Sequence, residues 1–158
     1  MLGETSDAPN VAAETIWVLE TNLDQATGEQ IGYSVTRLMD AGVLDVYTTA
    51  IQMKKNRPGT LLGVLAKPGD CEKLEAILFA ETGTLGVRRQ ATARTALPRR
   101  KATVETAYGP VTGVVATLPD GTEAFAPEYE DCRRMAVERC VALRMVTNAA
   151  RQSWSSMK

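Results

Sequence analysis

The sequence predicts an α+β fold, with a ferredoxin-like split βαβ core (βαββαβ) followed by an appended β-hairpin and C-terminal helices. Three observations lead to this prediction. β-branched and aromatic residues dominate 15–22, a capping box opens an amphipathic stretch at Thr27, and Pro58 and Gly59 separate two apolar runs. The resulting order is strand, helix, strand, strand, helix, strand, with an antiparallel sheet and both helices on one of its faces.

The first strand and the first helix follow from residue periodicity. Over 15–22, successive side chains alternate between two faces, as in a strand. The helix begins at Thr27, because Gln30 stands three positions later, which is the spacing of a capping box. Gly42 is predicted to end it. Its apolar residues form one stripe: Ile31, Val35, Leu38 and Met39.

The second half of the core begins with a hairpin. Strands over 46–53 and 60–66 flank the polar turn 54–59. Asp70 then follows Pro68-Gly69 and is predicted to cap a second helix. The fourth strand runs over about 85–97.

The remaining sequence predicts an appended hairpin and two helices. Strands over 103–106 and 111–117 form the hairpin. Pro127 fits the first turn of a third helix, because a helix needs no N–H there. A final short helix covers 143–154.

The 158 residues therefore predict three parts. Residues 1–13 form a tail or linker, 14–97 the ferredoxin-like core, and 98–158 the appended hairpin and helical segment packing on that core. No apolar run has the length of a membrane span, and the first residues lack the basic and apolar regions of a secretion signal. We expect a cytoplasmic protein with no membrane partner.

Composition excludes several kinds of chemistry. The chain has no histidine, and its three cysteines contain no C-x-x-C pair, so Ser–His and Cys–His catalysis and a zinc site lack support. The net charge of -1 is unevenly distributed, because residues 54–101 hold eleven Lys and Arg against four Asp and Glu. This basic segment predicts a phosphate-bearing partner, or else a surface that neutralises its own charge.

Two stretches of the basic segment are candidate phosphate contacts. The turn 54–60 carries Lys54, Lys55 and Arg57 beside a glycine, although charged hairpin tips are commonly just solvated surface. The stretch 81–89 combines hydroxyls, glycines and Arg88 but lacks the spacing of known phosphate-loop motifs. Its alternative is a helix C-cap followed by a charged edge strand.

Acidic residues offer a candidate site for a divalent cation. Glu128 and Asp131 are three positions apart in the first turn of the third helix, and Asp24 follows the first strand. Carboxylate oxygens suit Mg²⁺ or Mn²⁺, with a nucleotide phosphate completing the shell. The alternatives are carboxylates that stabilise a helix N-terminus and a residue that favours a turn.

Several strings together resemble a known family, the C-terminal domain of the nickel insertion protein for the nickel-pincer nucleotide cofactor. The resemblance extends from about residue 15 to residue 150. Its most specific parts are the lysine-rich turn and Glu-Tyr-Glu-Asp-Cys. The matching strings are 18–24, 51–60, 81–88, 108–111 and 127–132.

This resemblance implies a part of a CTP-dependent cyclometallase, a lyase that inserts nickel into pyridinium bisthiocarboxylate mononucleotide to make the cofactor of lactate racemase. Nickel would be the substrate metal, and CTP would bind with Mg²⁺ or Mn²⁺. The implied partners are CTP, the mononucleotide, the family's N-terminal domain and further copies of the chain. The implied nucleotide-binding residues are Lys54, Lys55, Arg57, Arg88 and Tyr129, and the implied metal ligands are Asp24, Glu128 and Asp131.

Two positions depart from the family's pattern. Gln25 stands where a second aspartate is usual, and Ala126 stands where a lysine commonly precedes the proline. Because the chain lacks histidine, we expect the nickel ligands in the family's N-terminal domain. The alternative function is a ligand-sensing ferredoxin-like module without catalysis. RNA binding is disfavoured, since only 5% of residues are aromatic.

Overall fold

A computed structural model describes residues 12–157. Residues 13–94 form one compact unit, and Thr95 with the residues after it belongs to a second. The tail predicted over 1–13 lies outside the described residues except at its end. There the first strand already begins at Ala12, two residues before the predicted start of the core.

The first unit has the predicted ferredoxin-like arrangement. Its four strands lie in the order β2-β3-β1-β4, and β3 pairs antiparallel with both β1 and β2. The second strand of the central hairpin, β3, therefore lies between the first strand and β2, which confirms the predicted fold class. The elements are β1 (Ala12–Leu23), α1 (Gly28–Asp40), β2 (Asp45–Met53), β3 (Arg57–Ala66), α2 (Cys71–Thr82) and β4 (Arg88–Ala96).

The two helices of the first unit have predicted N-terminal caps, of which one is confirmed and the other is wrong. The capping box at Thr27 is confirmed, since its hydroxyl accepts from the Gln30 N–H and the Gln30 side chain accepts from the Thr27 N–H. Asp70 precedes α2 but its side chain makes no capping hydrogen bond. A short 3₁₀ turn over Pro68–Asp70 leads into α2, so Asp70 lacks the extended backbone that a capping side chain requires.

The core of the first unit lies between the sheet and its two helices. Leu19 and Leu62 from the sheet pack with Leu38 of α1 and with Leu74 and Leu78 of α2, and all five are fully buried. Complete burial of a leucine side chain contributes about 1.5–3 kcal/mol. This packing fixes the strand ends that carry the polar residues described below.

The tip of the β2–β3 hairpin lies close to the end of β1. A Cβ on Gly59 would come within 2.9 Å of the Leu23 carbonyl oxygen and 2.8 Å of the Met53 sulfur. Both distances are shorter than real side chains tolerate, so glycine is required for this approach. The hairpin tip therefore shares one end of the sheet with the residues that follow β1.

The second unit contains a three-stranded antiparallel sheet, β5-β6-β7, and two helices. The sequence predicted only two strands, and the third was missed. Pro127, predicted in a helix, is the last residue of β7, where its missing N–H is tolerated on an edge strand. The elements are β5 (Arg99–Thr106), β6 (Gly109–Thr117), β7 (Glu123–Pro127), α3 (Tyr129–Glu138) and α4 (Leu143–Ser156).

The second unit has its own core. Phe125 of β7 stacks on Trp154 of α4, with ring centroids 5.2 Å apart. Val104, Val111 and Val146 are buried beneath them. Within residues 12–157, no helix is long and apolar enough to cross a membrane.

Candidate nucleotide site

Three chain segments of the first unit meet at one end of its sheet. β1 ends there, the β2–β3 hairpin turns there, and β4 begins there. The structure thereby collects four of the predicted phosphate contacts from separate stretches of sequence. We call this region the cationic sheet end; it is defined by Lys54, Lys55, Arg57 and Arg88.

An open cavity of about 550 Å³ lies at the cationic sheet end. One wall is formed by residues 21–26, which end β1 and lead into α1. The other wall is formed by residues 82–86, together with Arg88 at the start of β4. This volume falls in the range of small-molecule sites in proteins, and the walls mix polar and apolar atoms as such sites do.

Threonine hydroxyls connect the two walls. The hydroxyls of Thr21 and Thr84 lie 2.5 Å apart and each lies 3.1 Å from the Gly86 carbonyl oxygen, so one hydroxyl donates to the other, which in turn donates to Gly86. Thr82 donates to the Leu78 carbonyl oxygen at 2.7 Å, and Thr21 is only 1% exposed. These bonds hold 84–87 as a turn, so β4 starts at Arg88 and not at 85 as predicted.

The guanidinium of Arg88 is positioned from β1. It donates to the Asn22 amide oxygen at 2.8 Å and lies 3.4 Å from a Glu20 carboxylate oxygen. Glu20 also accepts from the Tyr47 hydroxyl at 3.2 Å. Burial, and then the neighbouring Glu20 carboxylate, raises the pKa of Tyr47, so this phenol stays protonated near neutral pH. Arg88 is thus oriented while half of its side chain remains exposed.

Asp24 faces a cation of the hairpin. Its Oδ2 lies 3.4 Å from Nη1 of Arg57, which is a long contact for an ion pair. Asp24 is 23% exposed and lines the cavity, whereas Arg57 is 51% exposed. Such an exposed pair contributes little to stability, so either partner can exchange the other for a ligand.

The lysines form the loop that joins β2 to β3. Lys55 and Asn56 both have positive φ, at 61° and 55°, a conformation that non-glycine residues rarely adopt. Lys54 and Lys55 are exposed. Within the described residues neither lysine makes an ion pair, so both ammonium groups are available to an anion.

The other predicted site residues lie in the second unit. Glu128 directly precedes α3 and has an oxygen 3.8 Å from the Lys101 ammonium, and Tyr129 is exposed. Both carboxylate oxygens of Asp131 accept hydrogen bonds, one from the Thr112 N–H at 2.9 Å and the other from Arg134 at 2.8 Å. The Arg134 hydrogen bond, and then the Thr112 N–H, lowers the pKa of Asp131.

The predicted metal ligands differ in the hydrogen-bond and ion-pair partners that their carboxylates already have. Asp24, with the Asn22 amide oxygen beside it in the cavity wall, supplies the hard oxygen atoms that Mg²⁺ and Mn²⁺ prefer. Asp131 has no carboxylate oxygen without a protein donor. Across residues 12–157, no group of three His, Cys, Asp or Glu side chains could hold a metal ion by itself. A cation at Asp24 would therefore need phosphate oxygens to complete its shell.

Sequence reasoning missed the residues that hold the site together. Thr21 and Glu20 carried no local signal, because an isolated threonine or glutamate in a strand is ordinary. Their roles arise from Thr84 and Arg88, more than sixty positions away. Cys71 and Cys132 are buried, and Cys140 lies beyond the end of α3, so the cysteines do not contribute to the cavity.

Comparison with known proteins gives consistent matches. Residues 2–147 match the family model described as nickel insertion protein. The pyridinium-3,5-bisthiocarboxylic acid mononucleotide nickel insertion protein of Lactiplantibacillus plantarum is 43% identical over 141 residues, covering 89% of this chain and 33% of that protein. A relative in Acaryochloris marina is 41% identical over 155 residues, covering 97% of this chain and 38% of that protein. The chain thus spans about a third of the length of these relatives.

Solved structures match over most of the chain. The apo form of the C-terminal domain of a cyclometallase involved in synthesis of the NPN cofactor of lactate racemase is 42% identical, with a TM-score of 0.82. The match covers 91% of this chain and 99% of that domain. A protein of Methanopyrus kandleri is 25% identical with a TM-score of 0.61, and 90% of each chain is covered.

Proposed function

The chain belongs to the nickel insertion protein family, and from this premise we propose that it is the domain that binds CTP with a divalent cation during nickel insertion. One observation carries the proposal. Arg88 lines a cavity that also holds Asp24, and three further cations, Lys54, Lys55 and Arg57, lie in the β2–β3 hairpin at the same end of the sheet. A triphosphate is the kind of ligand that such a cluster of cations recognises.

The contacts suggest how each residue would act. Arg88 lines the cavity and its guanidinium is held by Asn22 and Glu20, so it would bind phosphate without a large rearrangement. Lys54 and Lys55 would neutralise further phosphate charge from the hairpin loop. Arg57 would leave its weak contact with Asp24 and turn to the phosphates.

The same exchange would release Asp24 for the cation. A bound Mg²⁺ or Mn²⁺ would neutralise phosphate charge and polarise the phosphoryl oxygens. Asp24 would hold this ion with the phosphate oxygens, and the Asn22 amide lies in the same wall. The nucleotide and the cation would each complete the other's site, so each binds weakly alone.

Nickel and the pyridinium mononucleotide complete the proposal. The L. plantarum relative acts, by its name, on pyridinium-3,5-bisthiocarboxylic acid mononucleotide, and we propose the same substrate for the full protein in the cytoplasm. Because the chain has no histidine, we expect no selective nickel site here. Incubation of this chain with the mononucleotide, CTP, Mn²⁺ and nickel should yield no nickel-loaded product by mass spectrometry. Product formed by this chain alone would contradict that expectation.

Calorimetric titration tests the proposal directly. CTP, UTP, ATP and GTP are titrated into the chain with Mn²⁺ and again with EDTA. We expect CTP to bind in the micromolar range only with the cation. Equal binding of CTP and ATP, or CTP binding that EDTA leaves unchanged, would contradict the proposal; the second result would favour a ligand-sensing module.

A further inference from the structure

A row of residues, one from each strand, crosses the sheet of the first unit. In the middle, Gly63 of β3 lies directly opposite Tyr47 of β2 on one side and Glu20 of β1 on the other. A carboxylate oxygen of Glu20 then lies 3.4 Å from a guanidinium nitrogen of Arg88 in β4. Because the strand order is β2-β3-β1-β4, Tyr47 and Arg88 belong to the two outer strands. The row therefore connects one outer strand with the other.

Gly63 leaves the space through which Tyr47 reaches Glu20. A Cβ on Gly63 would lie 2.2 Å from Cζ of Tyr47 and 2.6 Å from its hydroxyl oxygen. Real side chains do not come so close, so the tyrosine ring crosses β3 where that strand has no side chain. The hydroxyl thereby reaches the next strand and donates to Oε1 of Glu20 at 3.2 Å.

The two oxygens of the Glu20 carboxylate have different partners. Oε1 accepts from the Tyr47 hydroxyl, whereas Oε2 has only the 3.4 Å contact with Arg88. A bidentate arginine–carboxylate pair uses both oxygens, at distances of about 2.7–2.9 Å. The shorter contact of Arg88 is instead with the Asn22 amide oxygen, at 2.8 Å. Because this amide is neutral and the carboxylate contact is long, the charge of Arg88 stays available to an anion.

We propose that Tyr47 is a positioning residue of the nucleotide site. Its hydroxyl occupies one oxygen of Glu20 and so prevents Glu20 from forming a bidentate ion pair with Arg88, which would compete with phosphate for the guanidinium. Tyr47 does not line the cavity, so it acts through Glu20 and not by touching the nucleotide. The inference rests on the proposed function, because that function assigns Arg88 to phosphate binding.

A double-mutant cycle tests whether the hydroxyl acts through Glu20. Tyr47→Phe removes only the hydroxyl, and the affinity for CTP with Mn²⁺ should fall by about fivefold in calorimetry, the effect of one lost hydrogen bond. Glu20→Gln keeps the shape of the side chain but cannot form the ion pair. In chains that carry Glu20→Gln, the further change Tyr47→Phe should therefore alter the affinity by less than about twofold.

A matched control separates this effect from the loss of any tyrosine hydroxyl. Tyr33 is an exposed residue of α1 that does not line the cavity, so Tyr33→Phe should leave the affinity for CTP unchanged. Urea unfolding checks that every variant is folded. A tyrosine with a merely structural role would lose the same affinity with or without Glu20→Gln, and that result would overturn the inference.

NMR of the ligand-free chain tests the positioning without any nucleotide. Tyr47→Phe should shift the Nε–Hε signal of the Arg88 guanidinium, because Glu20 is then free to pair with it, and should leave the signal of Arg37 unchanged. If the wild type fails to bind CTP, the proposed function fails, and this spectrum still decides whether Tyr47 positions Arg88. An unshifted Arg88 signal, or CTP binding by Tyr47→Phe equal to that of the wild type, would overturn the inference alone.

Discussion

Two aspartates in different regions of the molecule, Asp24 and Asp131, have different surroundings. At the cationic sheet end, Asp24 makes a single long contact with an exposed arginine. At the start of α3, both oxygens of Asp131 accept short hydrogen bonds, one from the sheet and one from the helix. We therefore favour Asp24 over Asp131 as the metal ligand, because Asp131 would have to share oxygens that already accept hydrogen bonds.

The basic residues of the two regions also differ in how far they are already paired with carboxylates. Arg134 is committed to Asp131 and Arg133 to Glu130, each three positions away on α3. By contrast, Lys54 and Lys55 make no ion pair within the described residues, and Arg57 and Arg88 are about half exposed. We therefore expect substitutions at the cationic sheet end to change ligand binding, and substitutions at the start of α3 to change stability.

The largest effect is expected from the hairpin. Lys55→Ala combined with Arg57→Ala removes two charges that would contact phosphate, so the affinity for CTP with Mn²⁺ should fall by about a hundredfold or more. The free energy of unfolding should change by no more than about 0.5 kcal/mol, because both side chains are exposed. Calorimetry and urea unfolding measure the two quantities. Loss of stability together with binding would mean that the loop is structural.

A smaller loss of binding is expected at the metal ligand. Asp24→Asn keeps the shape of the side chain but removes the charge that a divalent cation requires. The affinity for CTP in the presence of Mn²⁺ should fall by about tenfold, because this corresponds to the free energy lost when one charged contact is weakened. Glu81→Gln is a matched control, because Glu81 pairs with Arg37 and does not line the cavity. Equal losses in the two variants would contradict the assignment of Asp24.

Asp131 should show the opposite pattern. Asp131→Ala leaves the Thr112 N–H and Arg134 without their acceptor, so the free energy of unfolding should fall by about 1–3 kcal/mol in urea. The affinity for CTP should stay within about twofold of wild type, which is a smaller change than the loss of one charged contact to the ligand would cause. If Asp131→Ala instead abolishes CTP binding without loss of stability, Asp131 is a ligand. That result would contradict the assignment of Asp131 to stability and of Asp24 to ligand binding.

The pH dependence gives a further check on Asp131. Its pKa is lowered in the folded state, so its contribution to stability is complete above the unfolded value near 4. That contribution is lost as the pH falls through the folded pKa. As the pH falls below about 4, the wild type should therefore lose more stability than Asp131→Asn. Parallel curves for the two proteins would show that Asp131 is not stabilised in this way.

The sequence indicated the first unit well because its signals are local. The capping box at Thr27 and the turn at Pro58-Gly59 each lie within a few residues of the element that they define. β7 was missed because it has only five residues, and its main packing contact is Phe125 on the distant Trp154. Pro127 favoured a helix start by local rules and is instead accommodated at a strand end.

The site was less predictable than the fold. Residue type alone identified Asp24, Glu128 and Asp131 as equivalent carboxylates. Only the fold shows that Thr112, nineteen positions before Asp131, donates to that carboxylate. Likewise, the orientation of Arg88 depends on Asn22, sixty-six positions earlier. Contacts at such separations leave no periodic pattern in a single sequence.

The most direct test of the central claim is to locate the bound cation. Mn²⁺ is paramagnetic and broadens the NMR signals of nearby amides, so a ¹⁵N-labelled chain is titrated with Mn²⁺ and CTP together. We expect broadening at residues 22–26, 54–57 and 84–88, reversed when Mg²⁺ replaces Mn²⁺, with the signals of Thr112 and Asp131 retained. Broadening centred on Thr112 and Asp131, with the cationic sheet end unaffected, would contradict this account.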